Sequence, residues 1–282
     1  MTEFILTHEY CKKFYPARKR NTDKTAYGSA NLVAGSDKYI GAASLATQAA
    51  LMSGCGYVKL TATEKVKLAL AARLPQTIFL DAPDLNSGAI AIGMGSGVSE
   101  QLYNTICKIL IEYRGTLIID ADGLNSLSRY GKQVLRSKNC SVVLTPHIRE
   151  FSRLSGIPVE EISSNPRKYA EEFAGEYGVT VLLKGADSYI CDGARTAVNT
   201  RGTTALAKGG SGDMLSGYIC GSAARGLSPF DAACCAAFTM GLSAEISSAE
   251  KTDYCVTAKD LIKNIHKAVR QLAKTVDRLS DY

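Results

Sequence analysis

The sequence contains no tryptophan, only three histidines, and nine cysteines of which none forms a Cys-x-x-Cys pair. So few imidazoles and no paired thiols argue against a dedicated zinc site, and no metal ligand set is expected. An odd number of scattered cysteines, several inside apolar runs such as Asp231 to Phe238, does not read as a disulfide framework. They are expected to be small buried hydrophobes in a reducing compartment. No apolar run approaches the roughly 20 residues needed to span a bilayer, so no membrane association is expected. The opening residues Met1 to His8 lack the charged start and long apolar stretch of a signal peptide, and a cytoplasmic location is expected. A net charge of +6 over 282 residues is too modest to argue for nucleic acid. It does suit a polyanionic small molecule such as a nucleotide. Lys12-Lys13 and Arg18-Lys19-Arg20 concentrate positive charge near the start, and residues 1–25 are expected to be a loosely ordered, solvated arm.

What is present is an alternation of short apolar β-rich runs and helical patterns. Strands are expected at Asn31–Ala34, Tyr57–Thr61, Ala89–Ile92, Thr116–Ile119, Ser141–Leu144 and Val179–Leu183. Helical patterns cover Ala42–Met52, Glu64–Leu74, Ser99–Tyr113, Asp213–Arg225 and Ser228–Ser247. Near-continuous apolar runs suit strands buried on both faces, hence a parallel sheet covered by helices. Ser188–Cys191 and Arg195–Asn199, joined through Asp192-Gly193, read instead as an antiparallel hairpin. No linker, repeat or low-complexity stretch divides the chain, so one α/β domain is expected over 1–282.

Chemistry concentrates at Gly209-Gly210-Ser211-Gly212-Asp213. Three glycines and a serine cannot be a helix interior; they let N–H groups converge just before an apolar helical run. Such a helix N-terminus binds anions, phosphate above all. Asp213 is then either the cap of the helix or a general base beside bound phosphate. Lys184 and His147 both leave the ends of apolar strands, where open parallel sheets collect ligands. Each also has a plain alternative: Lys184 as a solvated strand end, His147 as a satisfied structural histidine. Asp122, behind the strand Thr116–Ile119, reads as a helix cap or as a contact to substrate or magnesium. The small residues Gly35-Ser36, Gly41-Ala42-Ala43 and Gly54-Cys55-Gly56 either pack a helix tightly or open space for a bulky ligand.

Taken in order, these segments together with Gly93-Met94-Gly95-Ser96-Gly97, Asp120-Ala121-Asp122-Gly123-Leu124-Asn125, Thr145-Pro146-His147 and Lys184-Gly185 resemble the NAD(P)H-hydrate dehydratase family. The resemblance runs from about Asn31 to Gly226. It implies a ribokinase-like three-layer fold, a central mostly parallel sheet with helices on both faces. The implied activity is repair of NADHX and NADPHX: ADP or ATP phosphorylates the added hydroxyl and phosphate then leaves. Carried over residue by residue, Asp213 resembles the base. Gly210, Ser211 and Gly212 resemble the anion hole, and Lys184, Gly185, Ala186, Asp187, Ser188 and Gly212 the adenine-nucleotide site. Ala42, Gly95, Gly97, His147 and Asp213 resemble contacts to the hydrated dinucleotide. Mg²⁺ is implied with the nucleotide, and a homo-oligomer, with a tetramer as one form. The chain shows no attached NAD(P)HX epimerase domain, so that activity is expected as a separate protein.

Two segments depart from the family's pattern. Thr145-Pro146-His147-Ile148-Arg149-Glu150 places Arg149 at a usual glycine, and Thr200-Arg201-Gly202-Thr203-Thr204 replaces a frequent Gly-Asn-Pro-Gly. Two rival functions share the loop: kinase of a small alcohol of the hydroxyethylthiazole or hydroxymethylpyrimidine type, and a non-catalytic nucleotide sensor. Retention of Asp213 disfavours the sensor, which needs an anion hole but no base.

Overall fold

The computed structural model describes residues 2–273. Its strands are β1 (Thr2–Ile5), β2 (Ser29–Val33), β3 (Tyr57–Thr61), β4 (Thr77–Leu80), β5 (Ala89–Ile92), β6 (Thr116–Ile119), β7 (Ser141–Leu144), β8 (Thr180–Leu183), β9 (Ser188–Cys191) and β10 (Arg195–Asn199). They form one sheet in the order β1-β10-β9-β8-β7-β6-β5-β2-β3-β4. Only β9, among the described residues, runs against its neighbours β8 and β10. The hairpin through Asp192-Gly193 therefore forms as its turn residues dictate, with Gly193 at φ +85°.

The central strands are apolar throughout because both faces are covered. Along β5, Ala89 and Ala91 enter one core while Ile90 and Ile92 enter the other. Ile118 against Leu117 and Ile119, Val143 against Val142 and Leu144, and Leu182 against Val181 and Leu183 repeat the pattern on β6, β7 and β8. Successive side chains point to opposite faces of a strand, so a continuous apolar run serves two cores.

The helices are α1 (His8–Lys12), α2 (Ile40–Met52), α3 (Glu64–Ala71), α4 (Glu100–Glu112), α5 (Asp122–Tyr130), α6 (Ile148–Ser155), α7 (Val159–Ser164), α8 (Pro166–Tyr177), α9 (Ser211–Ala224), α10 (Pro229–Cys255) and α11 (Ala258–Leu272). One core holds Ala46 of α2, Tyr218 of α9, Phe238 of α10 and Ile265 of α11; the other holds Ile106 of α4, Leu124 of α5, Phe151 of α6 and Phe173 of α8. The result is the three-layer ribokinase-like arrangement, sheet between helices. Helix α10, expected as the helical pattern Ser228–Ser247, is long and apolar enough to cross a membrane by length and composition, which corrects the expectation that no run approaches that length. Most of it is buried inside the fold, and it packs against α11 and α9.

Helices α2 and α9 approach until backbones nearly touch. A Cβ at Gly217 would lie 2.0 Å from the Ala46 carbonyl oxygen, and one at Gly221 2.0 Å from Ser53 Oγ. Ala46, Ala50 and Ser53 are thus consumed by helix–helix packing, whereas Gly41 has open space beside it, Gly54 meets Arg18 and Gly56 meets the Lys24 carbonyl.

Residues 2–15 of the opening segment are not a loose arm. Thr2–Ile5 pairs in parallel with Arg195–Val198, and Cys11, Phe14 and Tyr15 are buried in the first core. Its cations are partly occupied: Lys13 Nζ lies 3.6 Å from the centre of the Tyr10 ring, and the Arg18 guanidinium 4.0 Å from that of Tyr27. Six of the nine cysteines are buried as expected, but Cys55 and Cys107 are half-buried and Cys255 is exposed.

Candidate active site

Three neighbouring parallel strands end at the same edge, and each delivers a polar residue there. Asp120 follows β6, Thr145 to His147 follow β7, and Lys184 follows β8. The Lys184 N–H donates to the Pro146 carbonyl at 2.9 Å, which keeps the last two chains in register beyond the strands. Asp120 is 1% exposed. Lys184 Nζ donates to its Oδ1 at 3.2 Å and Ser216 Oγ to its Oδ2 at 2.8 Å. Lys184 Nζ also lies 3.8 Å from Glu150 Oε2. Burial alone would pull the Lys184 ammonium down, but Asp120 and Glu150, with a smaller contribution from Asp213, hold it above its ordinary value. Lys184 is thus a charged, caged cation and not a solvated strand end.

Facing it is the glycine loop. Helix α9 starts at Ser211 with Gly210 as its N-cap at φ +98°, and no side chain caps it. Asp213 sits in the first turn and is not the cap, so the capping reading does not hold. The Gly212 and Asp213 N–H groups donate to no carbonyl among the described residues and remain available, as first-turn amides are. Ser211 Oγ donates instead to the Leu206 and Lys208 carbonyls at 2.6 and 2.9 Å, bracing the loop. Burial first, then the neighbouring Asp120 charge, raise the Asp213 carboxyl from 3.8 to about 6, with Lys184 opposing. A carboxyl poised near neutrality beside free amides is suited to exchange a proton next to a bound anion.

His147 is the N-cap of α6. Its Nδ1 accepts from the Arg149 and Glu150 N–H groups at 3.1 and 3.2 Å, and the Glu150 carboxylate accepts from the His147 N–H at 2.9 Å. This reciprocal pair is a capping box with histidine in the usual Ser or Thr place. Accepting at Nδ1 places the ring hydrogen on Nε2, and burial pulls the ring below its ordinary 6.5, toward the neutral form. The structural reading of His147 is therefore correct for Nδ1. The ring is nevertheless 48% exposed and lines both cavities at this edge.

Those cavities share His147, Lys184, Leu206, Ala207, Ser211 and Gly212 in their linings, so they meet across the glycine loop. The larger, about 710 Å³, is lined by Lys184, Gly185, Ala186 and Ser188 and by Arg201 to Thr204. Its lining includes the buried apolar side chains of Leu182, Ala237 and Met240. The smaller, about 480 Å³, holds Asp120, Glu150, Lys208, Gly210 and Asp213. Asp187 lines neither. Nor do Ala42, Gly95 and Gly97, which form a patch of their own. A Cβ on Gly95 would meet the Ala42 Cβ at 2.7 Å, and the Gly97 N–H donates to Asp122 Oδ2 at 2.8 Å. Asp122 opens α5 and ties down Gly97, which neither of its expected roles described. Sequence reasoning singled out neither Ser216, whose hydroxyl holds Asp120, nor Lys208; both lie within a turn of the loop, and that proximity was the available signal.

Comparison with known proteins places the chain in a family. The family model described as NAD(P)H-hydrate dehydratase matches residues 30–267. The ADP-dependent (S)-NAD(P)H-hydrate dehydratase of Cenarchaeum symbiosum is 34% identical over 99% of this chain and all of its own length. The chain spans about half the length of the bifunctional NAD(P)H-hydrate repair enzymes it matches. Among solved structures, the ADP/ATP-dependent NAD(P)H-hydrate dehydratase of Bacillus subtilis, co-crystallized with ATP/Mg²⁺, superposes with a TM-score of 0.87 at 30% identity, covering 95% of this chain and 98% of that one. A ribokinase-like superfamily protein of Enterococcus faecalis superposes at 0.81 with 24% identity, covering 97% of each chain, and shares the fold. With a glycine loop, a caged lysine and a poised aspartate at one sheet edge, and a family match over most of its length, the chain belongs to the NAD(P)H-hydrate dehydratase family.

Proposed function

We propose that the protein dehydrates (S)-NAD(P)H hydrate to NAD(P)H, driven by ADP or ATP. The observation that carries this reading is Asp213, held near neutrality where two cavities meet over a loop of free amides. The adenine nucleotide occupies the larger cavity, its base against Leu182, Ala237 and Met240 and its phosphates toward Lys184 to Ser188 and Gly212. The hydrate enters from the smaller cavity, with His147 at the border and the Ala42, Gly95 and Gly97 patch beyond. Asp213 accepts the proton of the added hydroxyl as that oxygen takes the terminal phosphoryl group. Gly210, Ser211 and Gly212 surround the transferred group, where preorganised amides stabilise developing charge. The ring nitrogen then pushes its lone pair to expel phosphate, leaving an iminium. The adjacent ring carbon loses a proton to the departing phosphate, which re-forms the carbon–carbon double bond, and the hydroxyl proton held by Asp213 leaves to solvent.

Mg²⁺ would arrive with the nucleotide and neutralise its phosphates. We assign it no protein ligand, because the buried carboxylates of the cavity, Asp120 and Glu150, are already engaged by Lys184, Ser216 and the His147 N–H. A cytoplasmic homo-oligomer completes the reading.

The test is direct. NADHX or NADPHX incubated with the protein, Mg²⁺ and ADP or ATP should regain dihydronicotinamide absorbance while releasing one inorganic phosphate per turnover. A stable phosphate ester on a thiazole or pyrimidine alcohol, with no recovered NADH, would establish a small-alcohol kinase instead.

A further inference from the structure

The glycine loop must hold its amides still, yet its entrance exposes Thr204, Ala207 and Lys208 to solvent. What restrains it comes from the far end of the chain. Helix α10 breaks at Thr252, a β-branched residue at φ +67°, and turns into α11. At this corner the carbonyl oxygens of Asp253, Tyr254 and Val256 converge on one point. Lys208 Nζ occupies it, donating to Asp253 and Tyr254 at 2.9 Å each and to Val256. An ammonium has three donors, and all three find acceptors here. Cations are also favoured at helix C-termini. Two neighbours stitch the same seam: Thr203 Oγ1 and Ser248 Oγ are 2.7 Å apart, and Thr204 Oγ1 donates to the Asp253 carboxylate. From the other side, Leu45 of α2 and Ala258 of α11 crowd Gly210, whose Cβ would fall 2.4 and 3.6 Å from them.

We propose that Lys208 is a positioning residue for phosphoryl transfer, its ammonium tying the entrance of the anion loop to the carbonyl cluster at the α10–α11 corner. Lys208 lines the smaller cavity but spends its donors on backbone oxygens, so it fixes the amides of 209–213 without itself meeting the phosphoryl group. The inference rests on the proposed function, because it assigns those amides to the transferred phosphoryl.

Lys208→Met in the full chain tests it by two independent readouts. Misplacement of a catalytic loop by about 1 Å costs on the order of 100-fold, so kcat should fall by about 10- to 100-fold. Nucleotide Kd and the KM for the hydrate should stay within about threefold, since the bulk of both cavities is untouched. Hydrogen exchange of the bonded amides on either side of the free ones, Leu206, Ala207, Ser211 and Met214, should quicken in the same variant. A kcat within about twofold of wild type, with unchanged loop exchange, overturns the proposal. So does a nucleotide Kd weakened about tenfold at unaltered kcat, which would make Lys208 a phosphate ligand. Should Lys208→Met fail to fold, Thr204→Val breaks the adjacent stitch more gently. It should lower kcat by about three- to tenfold and quicken the same amides; no change in either refutes the tether. Were wild type inactive on both hydrates, the functional reading would fall, and loop exchange in Lys208→Met would still decide the tether by itself.

Discussion

Replacing Asp213 by asparagine separates a general base from a structural aspartate, and its effects on rate and stability should have opposite signs. The carboxyl is raised to about 6 by burial and by Asp120. One unit either side of that midpoint, the ionised fraction is about 9% at pH 5 and about 91% at pH 7, so turnover should drop about tenfold between them. An aspartate of ordinary 3.8 would give a flat profile over that range. Because the folded value lies above the ordinary one, Asp213 favours the fold when protonated. That contribution is full below about pH 3.8 and is lost as pH rises through about 6. The gap sets an upper limit of about 3 kcal/mol, and water in the open cleft reduces it to about 1–2 kcal/mol. The asparagine variant, neutral at every pH, should therefore be more stable than wild type by that amount at pH 8 while losing roughly 10²–10⁴-fold in kcat. The assay pairs initial rates of NADH recovery from pH 5 to 8 with urea unfolding of both proteins at pH 5 and 8. Activity of the asparagine variant within a few-fold of wild type, or a flat wild-type profile, would refute the base assignment.

Gly212→Ala should leave the fold nearly intact, because its Cβ would meet Lys184 Nζ at 3.5 Å and Asp120 Oδ2 at 3.8 Å, ordinary contact distances. The methyl would instead stand over the free amides, and calorimetry should show nucleotide affinity weakened by about tenfold, roughly 1.4 kcal/mol. Unchanged affinity would move the phosphates elsewhere. At His147, alanine should cost about 1 kcal/mol of stability through the lost cap of α6, whereas asparagine, a good cap, should restore it. If the ring also contacts the hydrate, both variants raise its KM; an asparagine variant with normal KM would leave His147 a purely structural cap.

Much of this molecule is written locally. Uninterrupted apolar tetrapeptides such as Ala89–Ile92 mark strands covered on both faces, and Asp192-Gly193 marks a reversal, because side-chain alternation and turn stereochemistry need only neighbours in sequence. Gly209 to Asp213 likewise announces an anion loop, since so much glycine suits a turn running into the first turn of a helix and not a helix interior. The edge strands Thr2–Ile5 and Thr77–Leu80 were not legible. Four residues carry too little periodicity, and β1 exists only because β10 offers it an open edge from a distant part of the chain.

The chemistry needed the third dimension still more. Sequence left Asp213 balanced between cap and base. The tertiary structure removed the cap reading by placing Gly210 at the cap, and it buried the carboxyl and set Asp120 beside it. A pKa is the sum of burial and charges drawn from several strands, and no local pattern encodes that sum. For the same reason the small residues of α2 could be seen but not interpreted until α9 was found lying against them. Lys208 carried no assignment from sequence; only the corner of α10 and α11 brings three carbonyls to its ammonium.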